Sequence, residues 1–311
     1  FLASLMIDSD DAVDNRISTV DAFFREILLE LEPDATIVYD DQRAVAVLRE
    51  IGVPRFVRDK DLLVELNDCI MANDLSEDNY IKGRGPQGSK RLKLEWRQRQ
   101  AVWKVYGRFR TRLEADQWYT PRLARVRLLE LLSEYPQSRE KVAFDYLFVD
   151  EIQDLTTVDF RALALLSRRS IVMAGDNDQS IYNTALRFSE LGIDIRGRAK
   201  VLKTNFRNTE QIVHFANAFR AAGGEESDEV RGNSAFRTGP TPELLRAGSA
   251  DKIREIVLSR VLLLRNQLGY SLESISVLTT SRRTKDMLAD LFRSRGIDVS
   301  DLGDKDFSFA E

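Results

Sequence analysis

The sequence predicts an α/β protein made of two parallel-sheet units, both incomplete, with a mostly helical block inserted into the first. Three observations carry this. Two compact apolar runs, AFDYLFVDE from residue 143 and SIVMAGD from residue 170, have the profile of parallel strands covered on both faces. A helical pattern, TVDFRALALLSRR, lies between them, and strand–helix alternation marks a layered α/β architecture. Ahead of both, residues 32–140 are mostly helical in character. The predicted domains are 1–31 with 141–197, an insertion at 32–140, and a second unit at 198–311.

The elements follow in chain order. Residues 17–31, ISTVDAFFREILLEL, open on a Ser or Thr cap and place Phe23, Phe24, Ile27, Leu28 and Leu31 at helical spacing. Residues 40–75 predict short helices broken by Gly52 and Pro54. A glycine-rich loop, KGRGPQGSK (82–90), leads into a long helix from about Leu92 to Leu113. Beyond the strands at 143–176, VLKTNFR predicts a strand and TEQIVHFANAFRAA a helix begun by Asn208 or Thr209. Residues 223–242, rich in glycine, acids and proline, predict a loop. A helix (250–268), a strand (SISVLTT, 274–280), a helix (RTKDMLADLFRSRG) and a short strand (IDVS) complete the order.

Composition narrows the chemistry. Cys69 is the single cysteine, which excludes an intrachain disulfide and cysteine-clustered zinc or iron–sulfur sites and predicts a reducing, cytoplasmic location. His214 is the single histidine; its place in an amphipathic helix predicts a structural role, and no second histidine exists for a metal-binding HExxH helix. No apolar run approaches the ~20 residues that span a bilayer, so no membrane partner is expected. The opening FLASLMIDSDD lacks an initiator Met and a basic leader, and predicts a start inside a longer protein.

Three constellations carry candidate chemistry. Asp150-Glu151-Ile152-Gln153-Asp154 ends a predicted parallel strand, where ligands of open α/β sheets bind. Adjacent carboxylates there suit nucleotide hydrolysis, one holding Mg²⁺ through water and the other orienting an attacking water; they equally suit capping of the next helix. In Gly175-Asp176-Asn177-Asp178-Gln179-Ser180-Ile181-Tyr182 the glycine allows close backbone approach and Gln179 can sense a phosphate, although alone this is also a polar turn. In Leu202-Lys203-Thr204-Asn205-Phe206-Arg207-Asn208 an arginine can fork onto phosphate beside a ring that can cover a base; a core ring beside a surface ion pair is the alternative.

In this order, about two dozen residues apart, VDEIQD, GDNDQSIY and LKTNFRN resemble motifs II, III and IV of the superfamily 1 UvrD/Rep helicases. ISTVDAF resembles the preceding weak motif, and ISVLTTSRRTKDMLADLFRSRGIDV is similar to the segment leading towards motif V. The resemblance implies two RecA-like domains of P-loop NTPase type, both incomplete here, in an ATP- and Mg²⁺-dependent DNA helicase or translocase moving 3′ to 5′ on single-stranded or partly duplex DNA. It implies Asp150 as the Mg²⁺ ligand, Glu151 as general base, Gln179 on the γ-phosphate and Arg207 as an arginine finger. Gln153, Asp154, Gly175 and Asp176 would serve the nucleotide side, with Phe206 on adenine where the family usually has tyrosine. Thr19 and Tyr182 would face DNA.

Departures from the pattern are equally specific. No GxxxxGK[ST] phosphate loop occurs in the 311 residues, so these residues alone are expected to hydrolyse ATP poorly or not at all. After Tyr182 the run NTALRF lacks the usual aromatic and arginine, and motifs V and VI are absent. A non-catalytic nucleic-acid-binding scaffold and a component of a helicase–nuclease complex are the alternative readings.

Charge segregates strongly. The whole chain carries −4, yet between Lys82 and Arg112 eleven basic residues stand against one acid, Glu95. Lys90, Arg91, Lys93 and Arg97 are candidate phosphate contacts, while the interleaved Trp96, Trp103 and Tyr106 share a stripe expected to turn inward.

Overall fold

The computed structural model describes residues 16–83, 92–175, 197–198, 200, 202, 204–222 and 234–301. The chain divides into two compact units, Phe1–Ala199 and Lys200–Glu311.

In the first unit α1 (Val20–Leu31) starts where the extended Thr19 accepts the Ala22 N–H on its hydroxyl at 3.3 Å, and it buries Phe24, Ile27 and Leu28. Asp40 caps α2 (Asp41–Ile51) in the same way, and Gly52 ends that helix at φ +91°, a conformation side chains disfavour. Helix α3 (Asp59–Val64) continues directly into π-helical turns at Glu65–Met71, which no local pattern announced. Then come α4 (Glu77–Ile81), α5 (Trp96–Ala115), α6 (Pro121–Glu134) and α7 (Pro136–Val142). A two-residue parallel pair, β1 (Thr36–Ile37) with β2 (Trp118–Tyr119), ties the start of the helical block to the end of α5.

The strand–helix–strand unit is β3 (Phe144–Val149), α8 (Thr157–Leu166) and β4 (Ser167–Met173), with the strands parallel and Val149 opposite Met173. Residues from α1, α2, α3, α5, α6 and α8 form one continuous apolar cluster, against which Leu147, Val149, Ile171 and Met173 pack. The helical block and the parallel pair therefore share a core.

Burial corrects two expectations here. Tyr146, Phe148 and Val172 are exposed, Phe148 at 74%, so among the described residues β3 and β4 are covered on one face only. Helix α8 stops at Leu166, and Arg168 and Arg169 belong to β4, each 3.9 Å from Asp145 of the neighbouring strand. The aromatic stripe of α5 turns inward as expected at Tyr106 and Phe109, with Trp103 stacked between Tyr80 and Tyr106. Trp96 is the exception, exposed beneath the Arg97 guanidinium.

Polar groups are also buried in this core. The Glu65 carboxylate accepts the Tyr80 hydroxyl at 3.0 Å, and burial raises its pKa. Burial, with the Glu65 charge beside it, pushes the Cys69 thiol up to about 12.

In the second unit β5 (Thr204–Thr209), α9 (Glu210–Ala222) and β6 (Ser234–Arg237) form another parallel strand–helix–strand unit. Helices α10 (Ala250–Asn266) and α11 (Arg282–Ser294), capped by Ser249 and Ser281, bury Leu258, Val261, Leu288 and Phe292 together with Ile297. The strands expected at 274–280 and at IDVS are absent; a 3₁₀ turn at Leu272–Ser274 is followed by backbone with no ladder partner among the described residues. The α/β character and parallel pairing stand, but each sheet has two strands among the described residues, less than a complete RecA-like sheet. No helix among those residues is long and apolar enough to cross a membrane.

Replacing Phe109, fully buried, by alanine is expected to cost about 3–5 kcal/mol of stability in urea denaturation. Trp96→Ala, on the exposed side of the same helix, is expected to cost less than about 1 kcal/mol.

Candidate functional site

The turn after β3 is tightly built. Asp150 leaves the strand exposed, and its Oδ1 accepts the backbone N–H of Glu151 at 2.9 Å. Glu151 sits in the left-handed region, φ +52° and ψ +45°, where a non-glycine residue is strained. Its carboxylate is held in place: Gln153, 5% exposed, donates its side-chain N–H to Glu151 Oε2. Ile152, Gln153 and Asp154 form a 3₁₀ turn closed by the Asp154 N–H on the Glu151 carbonyl at 3.1 Å, which leaves the Asp154 carboxylate exposed.

The end of β4 closes on this turn. Ala174 donates to the Val149 carbonyl at 2.8 Å and accepts from the Ile152 N–H at 3.1 Å. A Cβ on Gly175 would lie 2.5 Å from Gln153 Oε1 and 2.6 Å from Ile152 Cγ1, so only glycine fits. Asp150, Glu151, Gln153 and Gly175 are thus brought together by two adjacent parallel strand ends. Among the described residues no three potential ligands cluster as a metal site. Asp150, exposed and with one carboxylate oxygen not taken by the Glu151 N–H, has the donor chemistry of a cation ligand.

Asp159, at the start of α8, is completely buried. It accepts the Thr156 N–H at 2.8 Å and the Thr156 hydroxyl at 2.7 Å, and takes Arg125 Nη1 of α6 at 2.8 and 2.9 Å. The other end of that guanidinium, Nη2, bonds Asp21 in the first turn of α1. Residue spacing contained no sign of this three-helix link, because its members lie 34 and 104 positions apart.

Helix α5 divides its cations. Arg110 pairs with Glu114 and Glu130, and Arg112 with Glu50 and Asp116. Arg99 lodges its guanidinium in the space left by Gly83. Lys93, Arg97, Lys104 and Arg108 are exposed without an acidic partner among the described residues. Positions 97, 104 and 108 fall on one helix face, since seven and eleven residues are close to two and three turns. Lys104 and Arg108, passed over as individual candidates from sequence, complete the face.

Thr19 is occupied as the cap of α1. In the second unit Phe206 is 64% exposed and its ring tilts against Phe236 at 5.7 Å. Arg207 is exposed with no acidic partner among the described residues; its backbone N–H and that of Asn208 both donate to Asn205 Oδ1, at 3.0 and 2.9 Å. Asp176, Gln179, Tyr182, Lys90 and Arg91 lie outside the described residues.

Residues 16–187 match the family described as UvrD/REP helicase N-terminal domain. The chain is 27% identical over 212 residues to an ATP-dependent helicase/nuclease subunit of Streptococcus sanguinis, covering 54% of this chain and 17% of that protein. It is 34% identical over 99 residues to the ATP-dependent DNA helicase PcrA of Leuconostoc citreum, covering 29% of this chain and 12% of the relative. It is 34% identical over 97 residues to the ATP-dependent DNA helicase Rep of Buchnera aphidicola, covering 28% of this chain and 14% of that one. The chain spans less than a fifth of the length of each of these relatives.

The strained turn makes a testable demand. Glu151→Gly relieves the left-handed conformation but removes the acceptor of the buried Gln153 amide, so its net effect is expected to stay within about 1 kcal/mol, whereas Gly175→Ala is expected to lower stability by about 1–3 kcal/mol by displacing Gln153. Urea denaturation of both variants beside the natural chain measures each effect.

Proposed function

The chain belongs to the UvrD/REP helicase family, and we propose that it is part of an ATP-dependent DNA helicase or translocase motor that moves 3′ to 5′ along single-stranded DNA. The observation that carries the reading is the Asp150–Asp154 turn, two exposed adjacent carboxylates at the end of a parallel strand, one fixed by Gln153. In this reading two RecA-like domains carry the site, the first from 1–31 and 141–197 with the insertion 32–140, and the second from 198–311.

Asp150 accepts the Glu151 N–H on Oδ1, and its carboxylate would hold Mg²⁺ through water when ATP is bound. Bound Mg²⁺ supplies neutralisation of phosphate charge. Glu151 accepts Gln153 on Oε2, which leaves Oε1 to orient and deprotonate the attacking water. Asp154, Gly175 and Asp176 line the nucleotide side, Gln179 reads the γ-phosphate, and Arg207 supplies charge to the transition state. Phe206, exposed and without a hydroxyl, covers adenine. Thr19, Tyr182, Lys90, Arg91 and Lys93 face DNA together with the α5 face of Arg97, Lys104 and Arg108. The helicase component of a helicase–nuclease assembly acting in DNA repair is a more specific form of this reading. It is favoured by the longer reach of the likeness to the streptococcal helicase/nuclease protein.

The test is ATP turnover by the full-length protein with and without single-stranded DNA, beside a Glu151→Gln variant. DNA-stimulated turnover that falls by about 10²-fold or more in the variant, with ATP binding retained, is the expected result. No turnover with DNA binding intact overturns the motor and favours a nucleic-acid-binding scaffold. For the cationic face, Lys104→Glu with Arg108→Glu is expected to weaken single-stranded DNA binding and to flatten its logarithmic salt dependence by about 0.7 per lost phosphate contact. An unchanged slope removes α5 from the interface.

A further inference from the structure

We propose that Arg125 is a positioning residue through which the nucleotide-side turn at Asp150–Asp154 and the DNA-side first turn of α1 move as one, so that DNA at Thr19 is felt at the carboxylates. The inference rests on the roles given to those residues above and goes beyond them, since Arg125 touches neither nucleotide nor DNA.

The geometry is specific. A guanidinium is planar and rigid, and here its two ends serve different helices, Nη1 on Asp159 of α8 and Nη2 on Asp21 of α1. Asp159 is itself locked to Thr156, two residues beyond Asp154, by two hydrogen bonds. Asp21 is two residues beyond Thr19 and on the same helical turn as its cap bond to Ala22. Arg125 also lies over the Phe24 ring of α1 at 5.8 Å, and the neighbouring Phe23 packs on Phe144 at the start of β3 at 5.4 Å. A shift of the turn is thereby handed to α1 through Thr156, Asp159 and Arg125.

Charge balance favours the link. Two cations, Arg122 and Arg125, face the single buried carboxylate of Asp159; Arg122 Nη1 lies 3.8 Å from it and has no hydrogen-bond partner. Asp68 and Asp21 add negative charge around the pair, and Asp21 is the one bonded to Arg125. When α1 moves away, Arg125 is left on a carboxylate already shared with Arg122, in a place where solvent screens little. Separation of α1 from α8 is therefore penalised, and coupling follows from that penalty.

Asp21 is 69% exposed on its side chain, so its substitution leaves the core intact. The measurement is the ratio of ATP turnover with and without single-stranded DNA in the full-length protein, for natural, Asp21→Asn, Asp21→Glu and Arg125→Lys forms. Asp21→Asn is expected to keep DNA-free turnover, with only a small loss of thermal stability because Asp21 is exposed, and to lose at least about fivefold of the stimulation, with Asp21→Glu restoring it. Arg125→Lys, a point charge unable to span both carboxylates, is expected to lose as much as Asp21→Asn. Reciprocity requires the same factor to vanish from the effect of a non-hydrolysable ATP analogue on DNA affinity. Stimulation in Asp21→Asn within about twofold of the natural protein overturns the inference. A natural protein with no stimulation overturns the motor reading itself and this inference with it.

Discussion

Complete burial of the Asp159 carboxylate is the constraint on which the first unit depends. An ionised carboxylate removed from water costs several kcal/mol unless its oxygens are satisfied and its charge is met. Four hydrogen bonds meet that demand, two from Thr156 within its own helix start and two from Arg125 on a different helix. Helices α6 and α8 can approach only in the arrangement that preserves those bonds, and α1 is drawn in through Asp21. The apolar cluster supplies most of the free energy of association, but grease alone does not choose one register among several. The buried charge does.

From that anchor the geometry of the carboxylate turn follows. Thr156 is fixed by Asp159, and the end of β3 is fixed by its ladder to β4, so residues 150–155 must close the distance between two immovable points. The chain does so with one residue in the left-handed region, and that residue is Glu151. Strain is tolerated because Ala174 clamps both sides of the turn and Gln153 fills the floor beneath it. The rigidity of the turn comes from strand ends and burial, which suits a group that must present a carboxylate oxygen at a constant angle.

Much of this was legible in the sequence, for identifiable reasons. Helices α1, α8, α10 and α11 announced themselves because their sequence patterns are local signals, α1 with a Ser or Thr cap as well. Parallel pairing was legible from strand–helix alternation, and VDEIQD marked the turn because its acids end an apolar run. What failed was non-local. Burial of β3 on both faces was inferred from apolar continuity, yet coverage depends on which elements arrive from elsewhere. Residues 274–280 have strand composition, but a strand is defined by a neighbour, and none pairs with them among the described residues. Counting cations on α5 overstated the free ones, because Glu50 and Glu130, far away in sequence, neutralise Arg112 and Arg110. The Arg125 link could not be read at all, since three ordinary surface-type residues became a unit only on folding.

The environment of Cys69 has a practical bearing on how motion in this protein can be observed. The chain has one thiol, and it is enclosed by the π-helical turns with its ionisation suppressed to about 12. A thiolate is the species that attacks maleimides and iodoacetamides, so the native cysteine is silent towards them at neutral pH. A single cysteine placed on an exposed position of α1 or of the second unit would then be the sole reactive centre within these 311 residues. Fluorescent or spin labels could be attached without first stripping the natural residue from a packed core, and the chain comes ready-made for spectroscopy.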